Sequence, residues 1–337
     1  PLRSEAAEEL AKDLATQSLV LLKNEDRSLP LEPAELSSIA VIGPLADAAQ
    51  EQLGTWVFDG HAHDSVTPLA AIRQRFGETL PVRYACGLPY SRSRDQSGFD
   101  EAVAVAAASD VALVFLGEES ILSGEAHCRA DLSLPGAQAE LLDQIRKTGT
   151  RTIVIVMAGR PLVLTDALKH MDALVYAWHP GTFAGPAIAD LLFGDADPFG
   201  KLPVTFPKAV GQIPVYYNHK KTGRPPEASE IVLIDEIPVG AQQTSLGMSA
   251  FHLDQGFEPL FPFGFGLTYS EFSLSDLQLT ANRIEMTGKL GLSCKLTNIG
   301  QRRASELVQL YIRDVSGSLT RPVRELKSFN RVSLDPG

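Results

Sequence analysis

Cysteine is scarce in this sequence. Cys86, Cys128 and Cys294 are three in 337 residues, widely spaced and without a CxxC pair. An odd, dispersed set argues against a disulfide framework and against a cysteine zinc site, and reads instead as small buried apolar side chains. No run of about eighteen apolar residues occurs, so no stretch reads as a membrane-spanning helix. Basic residues are outnumbered, 30 Lys and Arg against 41 Asp and Glu, for a formal net charge of −11. The basic stripe that phosphate neutralisation demands is therefore missing, which argues against a nucleic-acid partner. Glycine-rich phosphate loops are missing too. Gly43-Pro44-Leu45-Ala46, after the first apolar run, has neither GxGxxG nor GxxxxGK(S/T) spacing, and a nucleotide-binding domain is set aside.

What is present is an alternation. Short runs rich in Val, Ile and Leu recur at Ile39–Gly43, Val82–Gly87, Val111–Gly117, Thr152–Gly159 and Ala173–His179. Helical patterns lie between them at Pro68–Phe76, Phe99–Ser109, Pro135–Lys147 and Thr182–Leu192. Strands that are apolar throughout, each followed by a helix, predict a largely parallel sheet covered on both faces. In such sheets functional loops leave the carboxyl ends of the strands. Upstream, Leu10, Leu14 and Leu21 are placed on one face of a helix over Ser4–Lys23. The segment 194–265 is rich in Gly and Pro and reads as an irregular connection. Beyond Tyr269 the pattern changes to alternating strands at Phe272–Leu279, Glu285–Thr297 and Glu306–Asp314, with Asn298-Ile-Gly300 as a turn. These predict a β-sandwich of immunoglobulin or fibronectin type. About seventy residues remain for it against roughly 100 in such a fold, so the sandwich is expected to be truncated.

The segment Gly117–Gln138, GEESILSGEAHCRADLSLPGAQ, stands out for chemistry. It leaves a strand end without apolar periodicity and carries Glu118, Glu119, Glu125, His127, Arg129 and Asp131. A loop this long inside a compact domain is usually functional or disordered. A carboxyl group on it whose pKa is raised toward neutrality can protonate a leaving group. From the residues alone, a solvated acidic loop paired with Arg129 is the competing reading. Trp56 offers an aromatic face to a ligand, or packs between domains. His61-x-His63 with Asp64 is too sparse for a metal site and reads as a solvated loop.

The same loop resembles the acid/base loop of glycoside hydrolase family 3: Glu125, then Arg129, then Asp131-Leu132-Ser133-Leu134-Pro135, Gly136 and Gln138. Further stretches resemble that family in the expected order. They are SLVLLKN at Ser18–Asn24, IAVIGP at Ile39–Pro44, Gly54-Thr55-Trp56, WHPGTFAGPAIADLLFGDADPFGKLPVTFP at Trp178–Pro207, VGQIPVYYNHKKTGRP at Val210–Pro225, PLFPFGFGLTY at Pro259–Tyr269, and Leu310–Phe329. Only Pro226–Leu253 has no counterpart. The bacterial periplasmic β-glucosidase branch resembles the chain well through the VGQIPVYYNH run.

The resemblance implies a six-strand, largely parallel α/β sandwich over 35–220. Before it would lie a linker helix and turn (1–34) from a barrel, and after it an irregular connection (221–268) and an incomplete fibronectin type III-like domain (269–337). It implies retaining hydrolysis of β-linked glucosides or cello-oligosaccharides, with Glu125 as acid/base and a nucleophilic aspartate on an N-terminal (β/α)₈ barrel of the same enzyme. Trp56, Asp59 and His127 would line the substrate. Glu118, Arg129 and Asp131 would support the loop, Arg129 pairing with Glu118 or Asp131 and not with Glu125, whose pKa it would lower. No cofactor, metal, nucleic acid or membrane partner is implied, the compartment would be periplasmic or secreted, and a homodimer is left open. The alternative is a non-catalytic carbohydrate-binding or assembly module.

Overall fold

The computed structural model describes residues 3–221 and 224–337. Thr222 and Gly223, within the run that resembles the β-glucosidase branch, lie outside the described residues. Six strands form the main sheet: β1 (Val20–Asn24), β2 (Ile39–Ile42), β3 (Val82–Ala85), β4 (Val111–Gly117), β5 (Arg151–Met157) and β6 (Ala173–Tyr176), in the order β1-β6-β5-β4-β2-β3. All neighbours are parallel except β1, which runs antiparallel to β6 at the edge.

Side chains alternate across this sheet with the period of a strand. Val111, Leu113 and Phe115 of β4 join Ile153 and Ile155 of β5 on one face, against Ile72, Ile188 and Leu192. The last three come from α2 (Pro68–Phe76) and α5 (Ala184–Leu192). Ala112, Val114 and Leu116 join Val154 and Val156 on the other face, against Ala102, Leu141 and Ile145. Those belong to α3 (Phe99–Ala107) and α4 (Gln138–Arg146), which appear in the chain between β3 and β5. With both faces covered, the central strands have no solvent side, which is why they read as continuous apolar runs.

Three expectations are corrected. The helix near the amino end, α1 (Glu5–Ser18), stops before Leu19, and Leu21 is fully buried in β1. Leu10 and Leu14 are exposed on α1. The apolar run Leu19–Leu22 is worth more paired on β6 within the core than as another helical turn. Second, α4 begins at Gln138, not Pro135. Gly136 adopts φ +68, a left-handed backbone that no helix continues, and a Cβ there would stand 2.4 Å from the Ser93 carbonyl oxygen. Third, Cys128 and Cys294 are exposed and Cys86 is half-buried, so the cysteines are not core residues.

From Ala209 to Phe257 the described residues form short 3₁₀ turns and loops, mostly exposed. Phe206 and Phe261 pair across this excursion and pack beneath the α3/α4 face. The carboxyl-terminal part contains β7 (Phe272–Leu279), β8 (Leu292–Asn298), β9 (Ala304–Ile312) and β10 (Glu325–Leu334), in two antiparallel pairs, β7-β8 and β9-β10. β8 starts seven residues later than Glu285 because 280–291 form a turn-rich connection.

Candidate active site

β4 ends at Gly117, and the next residue turns its side chain inward. Glu118 is fully buried, with Oε1 accepting from Arg129 Nη1 at 2.6 Å and Oε2 from Arg160 Nε at 3.1 Å. Arg160 follows the end of β5, the strand beside β4, so adjacency in the sheet brings it to Glu118 across 42 positions of sequence. Its remaining donor edge serves the loop: Nη2 bonds the carbonyl oxygens of Leu122 and, at 2.9 Å, His127. Tyr176 of β6, wholly buried, donates its hydroxyl to the Arg160 carbonyl and fixes that backbone. Arg129 uses a second nitrogen on the Ser133 carbonyl at 2.9 Å.

The other acidic groups nearby are also engaged. Glu119 accepts from Ser91 Oγ at 2.8 Å and Arg92 Nε at 3.2 Å. Glu51 accepts from the backbone N–H and hydroxyl of Ser120 at 2.6 and 2.9 Å. Asp131 accepts from the N–H and hydroxyl of Ser133 at 2.9 and 2.8 Å, and these bonds hold its carboxyl below the ordinary value. Gln138, buried at the start of α4, closes the base of the loop: it donates to the Gly117 and Ser91 carbonyls and accepts from Gly117 N–H, each at 2.8 Å.

Glu125 differs from all of these. It sits at the exposed apex, and among the described residues it makes no hydrogen bond or ion pair. The backbone on either side is bent, Gly124 at φ +113 and Ala126 at φ +65. A Cβ on Gly124 would come within 2.5 Å of Thr55 Cγ2. Thr55 itself donates to the Ser120 and Ser123 carbonyls, the latter at 2.8 Å, so the 54–60 loop and the Glu125 loop are tied together. The first of these loops carries exposed Trp56 and Asp59, and Phe58, 85% exposed. His127, next to the apex, donates Nδ1–H to the Ser123 carbonyl at 3.2 Å. His61 and His63 stack with ring centroids 5.2 Å apart, both exposed.

Below the loop, His179 follows β6 with Nε2 3.5 Å from Ser123 Oγ. Burial pushes its pKa below the ordinary histidine value, while the charge of Glu118 pulls the other way. Sequence reasoning missed Arg160, Glu51, Thr55, Phe58 and His179. For two of them a signal existed: Arg160 and His179 stand three positions past the ends of β5 and β6, where the parallel-sheet rule directs attention. Thr55 lies in the Gly54-Thr55-Trp56 stretch without a role having been assigned to it, and Glu51, which accepts from Ser120, carries no mark.

With this geometry in hand, similarity to known proteins adds a family. Residues 19–269 match the glycosyl hydrolase family 3 C-terminal domain, and residues 306–337 match a fibronectin type III-like domain. A periplasmic β-glucosidase of Salmonella typhimurium is 37% identical over 97% of this chain and 43% of its own length. A β-xylosidase of Formosa agariphila is 35% identical over 98% of this chain, again 43% of its own. A solved β-glucosidase from Listeria innocua, in complex with isofagomine, superposes with a TM-score of 0.88 at 33% identity, over 99% of this chain and 44% of that one. The chain thus spans less than half the length of these relatives.

Proposed function

Because the chain belongs to glycoside hydrolase family 3, we propose that it supplies Glu125 as the general acid/base of a retaining β-glucosidase. The nucleophile would be an aspartate of a (β/α)₈ barrel in the longer enzyme, facing the apex of the 118–137 loop. One observation carries the choice of residue. Glu118, Glu119, Glu51 and Asp131 are all committed to partners within the protein, and Glu125 alone on this loop is exposed and unengaged. A proton donor must reach a substrate and must not be pinned by a cation that would stabilise its charged form. Arg129 is spent on Glu118, which leaves Glu125 without that handicap. Barrel and sugar would cover the apex in the longer enzyme and exclude bulk water from the carboxyl.

In the first step Glu125 gives its proton to the glycosidic oxygen as the aspartate bonds to the anomeric carbon and the aglycone alcohol leaves. In the second, ionised Glu125 takes a proton from water as the water oxygen displaces the aspartate, restoring both groups. Trp56 and Asp59, exposed on the loop that Thr55 ties to the Glu125 loop, and His127, two residues past Glu125, are proposed to border the aglycone. Loop support by Glu118, Arg129 and Asp131 belongs to the same proposal. The domain limits proposed are 1–34, 35–220, 221–268 and 269–337. A periplasmic or secreted location is proposed, in keeping with the periplasmic Salmonella relative. The resemblance of the Formosa β-xylosidase favours a second specificity reading, hydrolysis of β-xylosides by the same residues.

The test is Glu125→Ala in the full-length enzyme. The kcat/KM for cellobiose and methyl glucoside should fall about 10²–10⁴-fold, and that for 2,4-dinitrophenyl glucoside, which needs no proton, should change little. Azide should restore turnover and yield β-glucosyl azide. If Glu118→Ala gives the glucosyl azide and Glu125→Ala does not, the assignment is wrong. Running the matching xylosides on the wild type decides between the two specificities.

A further inference from the structure

We propose that Arg160 is the positioning residue of the acid/base loop, with Glu118 as the carboxylate that orients its guanidinium. The inference rests on the reading of Glu125 as acid/base. One planar group touches three places: Glu118 at the end of β4, the Leu122 carbonyl on the way up to the apex, and the His127 carbonyl on the way down. Glu125 lies between the two bonded carbonyls. A guanidinium is rigid and holds its donors in a fixed fork, so the separation of the two limbs of the loop is set by the dimensions of one side chain. Glu118 fixes the orientation of that fork, and Tyr176 fixes the backbone that carries it. The outer limb is tied back by Arg129, which shares the same carboxylate and holds Ser133.

This arrangement is poorly explained as a source of stability alone. A buried carboxylate with two guanidinium partners pays a desolvation cost that its Coulombic attraction only balances, and a well-packed apolar trio would serve a core as well. What an apolar trio would not do is bond two carbonyls on opposite limbs of a loop whose apex is otherwise exposed. Acid catalysis is sensitive to such placement: a shift of about 1 Å in a reacting group costs on the order of 10²-fold.

The test uses Arg160→Lys in the full-length enzyme, with Glu118→Gln as the second variant. Lysine keeps a positive charge beside Glu118 and loses the fork. The expected result is selective: kcat/KM for cellobiose and methyl glucoside falls about 10- to 100-fold, while that for 2,4-dinitrophenyl glucoside stays within a few-fold. Glu118→Gln, which loosens the guanidinium without deleting it, should show the same selectivity with a smaller loss. An equal fall on all substrates would make the cluster merely structural, and unchanged kinetics on all of them would show that the fork is not needed; either overturns the inference. If Arg160→Lys does not fold, the Glu118→Gln profile alone decides by the same criterion. Failure of the underlying reading looks different: Glu125→Ala would itself lack the dependence on leaving group. When Glu125→Ala shows that dependence and neither clamp variant does, only the clamp is refuted.

Discussion

Glu118 and Asp197 are both acidic side chains drawn inward shortly past a regular element, β4 for one and α5 for the other, and the partners they meet differ in kind. Glu118 meets two guanidinium groups at 2.6 and 3.1 Å. Asp197 meets backbone: Oδ1 accepts from Tyr269 N–H at 3.3 Å and Oδ2 from Ser305 N–H at 2.9 Å. Arg302 stands near but is occupied, donating to the Gly194 carbonyl at 2.8 Å and lying over the Tyr269 ring. The first carboxylate meets Arg160 through the adjacency of β4 and β5, and Arg129 from its own loop. The second stitches the α/β sandwich to the start of the fibronectin-like part, where Tyr269 also donates its hydroxyl to the Leu191 carbonyl. Side-chain partners permit an exposed apex to be aimed. Backbone partners tie down a junction whatever side chains surround it.

The largest effect that would sharpen this contrast is on stability. Glu118→Ala strands two guanidinium charges in a nearly dry site and should cost about 3–5 kcal/mol. Asp197→Ala leaves two N–H groups in a place water can partly reach, and should cost about 1–3 kcal/mol. Urea unfolding of the full-length enzyme, compared at constant m-value, measures both. Equal losses would erase the distinction between the two kinds of partner.

How far the sequence foretold this contrast depends on the residue. β4 and β5 were legible because both faces of the sheet are covered, so Val111–Gly117 and Thr152–Gly159 had to be apolar throughout. β1 was not, since Leu21 falls seven positions beyond Leu14 and continues the helical stripe of α1; only pairing with β6 reveals the strand. The acidic character of the 117–138 loop was legible from composition, whereas Glu125 was singled out within it only by resemblance to the family's loop, and its role remains a proposal. The Glu118–Arg160 pair was illegible, because it depends on which strands are neighbours and no local pattern encodes that. Asp197 lay inside the Trp178–Pro207 run, but its partners are backbone N–H groups, which every non-proline residue carries and no sequence can single out.

A middle-sized effect separates the two carboxylates by pH. Burial raises the Asp197 pKa above the ordinary value, outweighing the two N–H bonds and Arg302. A carboxyl raised in the folded state binds its proton more tightly there than in the unfolded chain. Its contribution to stability therefore falls as pH rises from about 4, the unfolded value, through the folded value, and recovers on acidification. Asp197→Asn does not titrate, so the melting temperature of wild type minus that of the variant should be greater at pH 4.5 than at pH 7.5. A difference that shrinks toward acid would mean that the amides favour the anion after all, making Asp197 resemble an ion-paired carboxylate.

The smallest effect reads the charge on Glu118 through its neighbour His179. Burial holds the His179 pKa below 6.5, and the Glu118 charge opposes that depression. A histidine depressed in the folded state costs stability as pH falls from about 6.5 through its folded value, because the unfolded chain takes the proton first. With Glu118→Gln the opposing field disappears and His179 should be depressed further, so the acid loss extends to lower pH. Each unit of additional depression corresponds to about 1.4 kcal/mol. NMR titration of the imidazole in wild type and Glu118→Gln measures the shift directly, and the double variant Glu118→Gln/His179→Asn should lose the added acid limb in unfolding. No movement of the His179 titration would mean that Arg129 and Arg160 neutralise Glu118 so completely that no field escapes the pair. In that case the contrast with Asp197 would lie in the geometry of the partners and not in their charge.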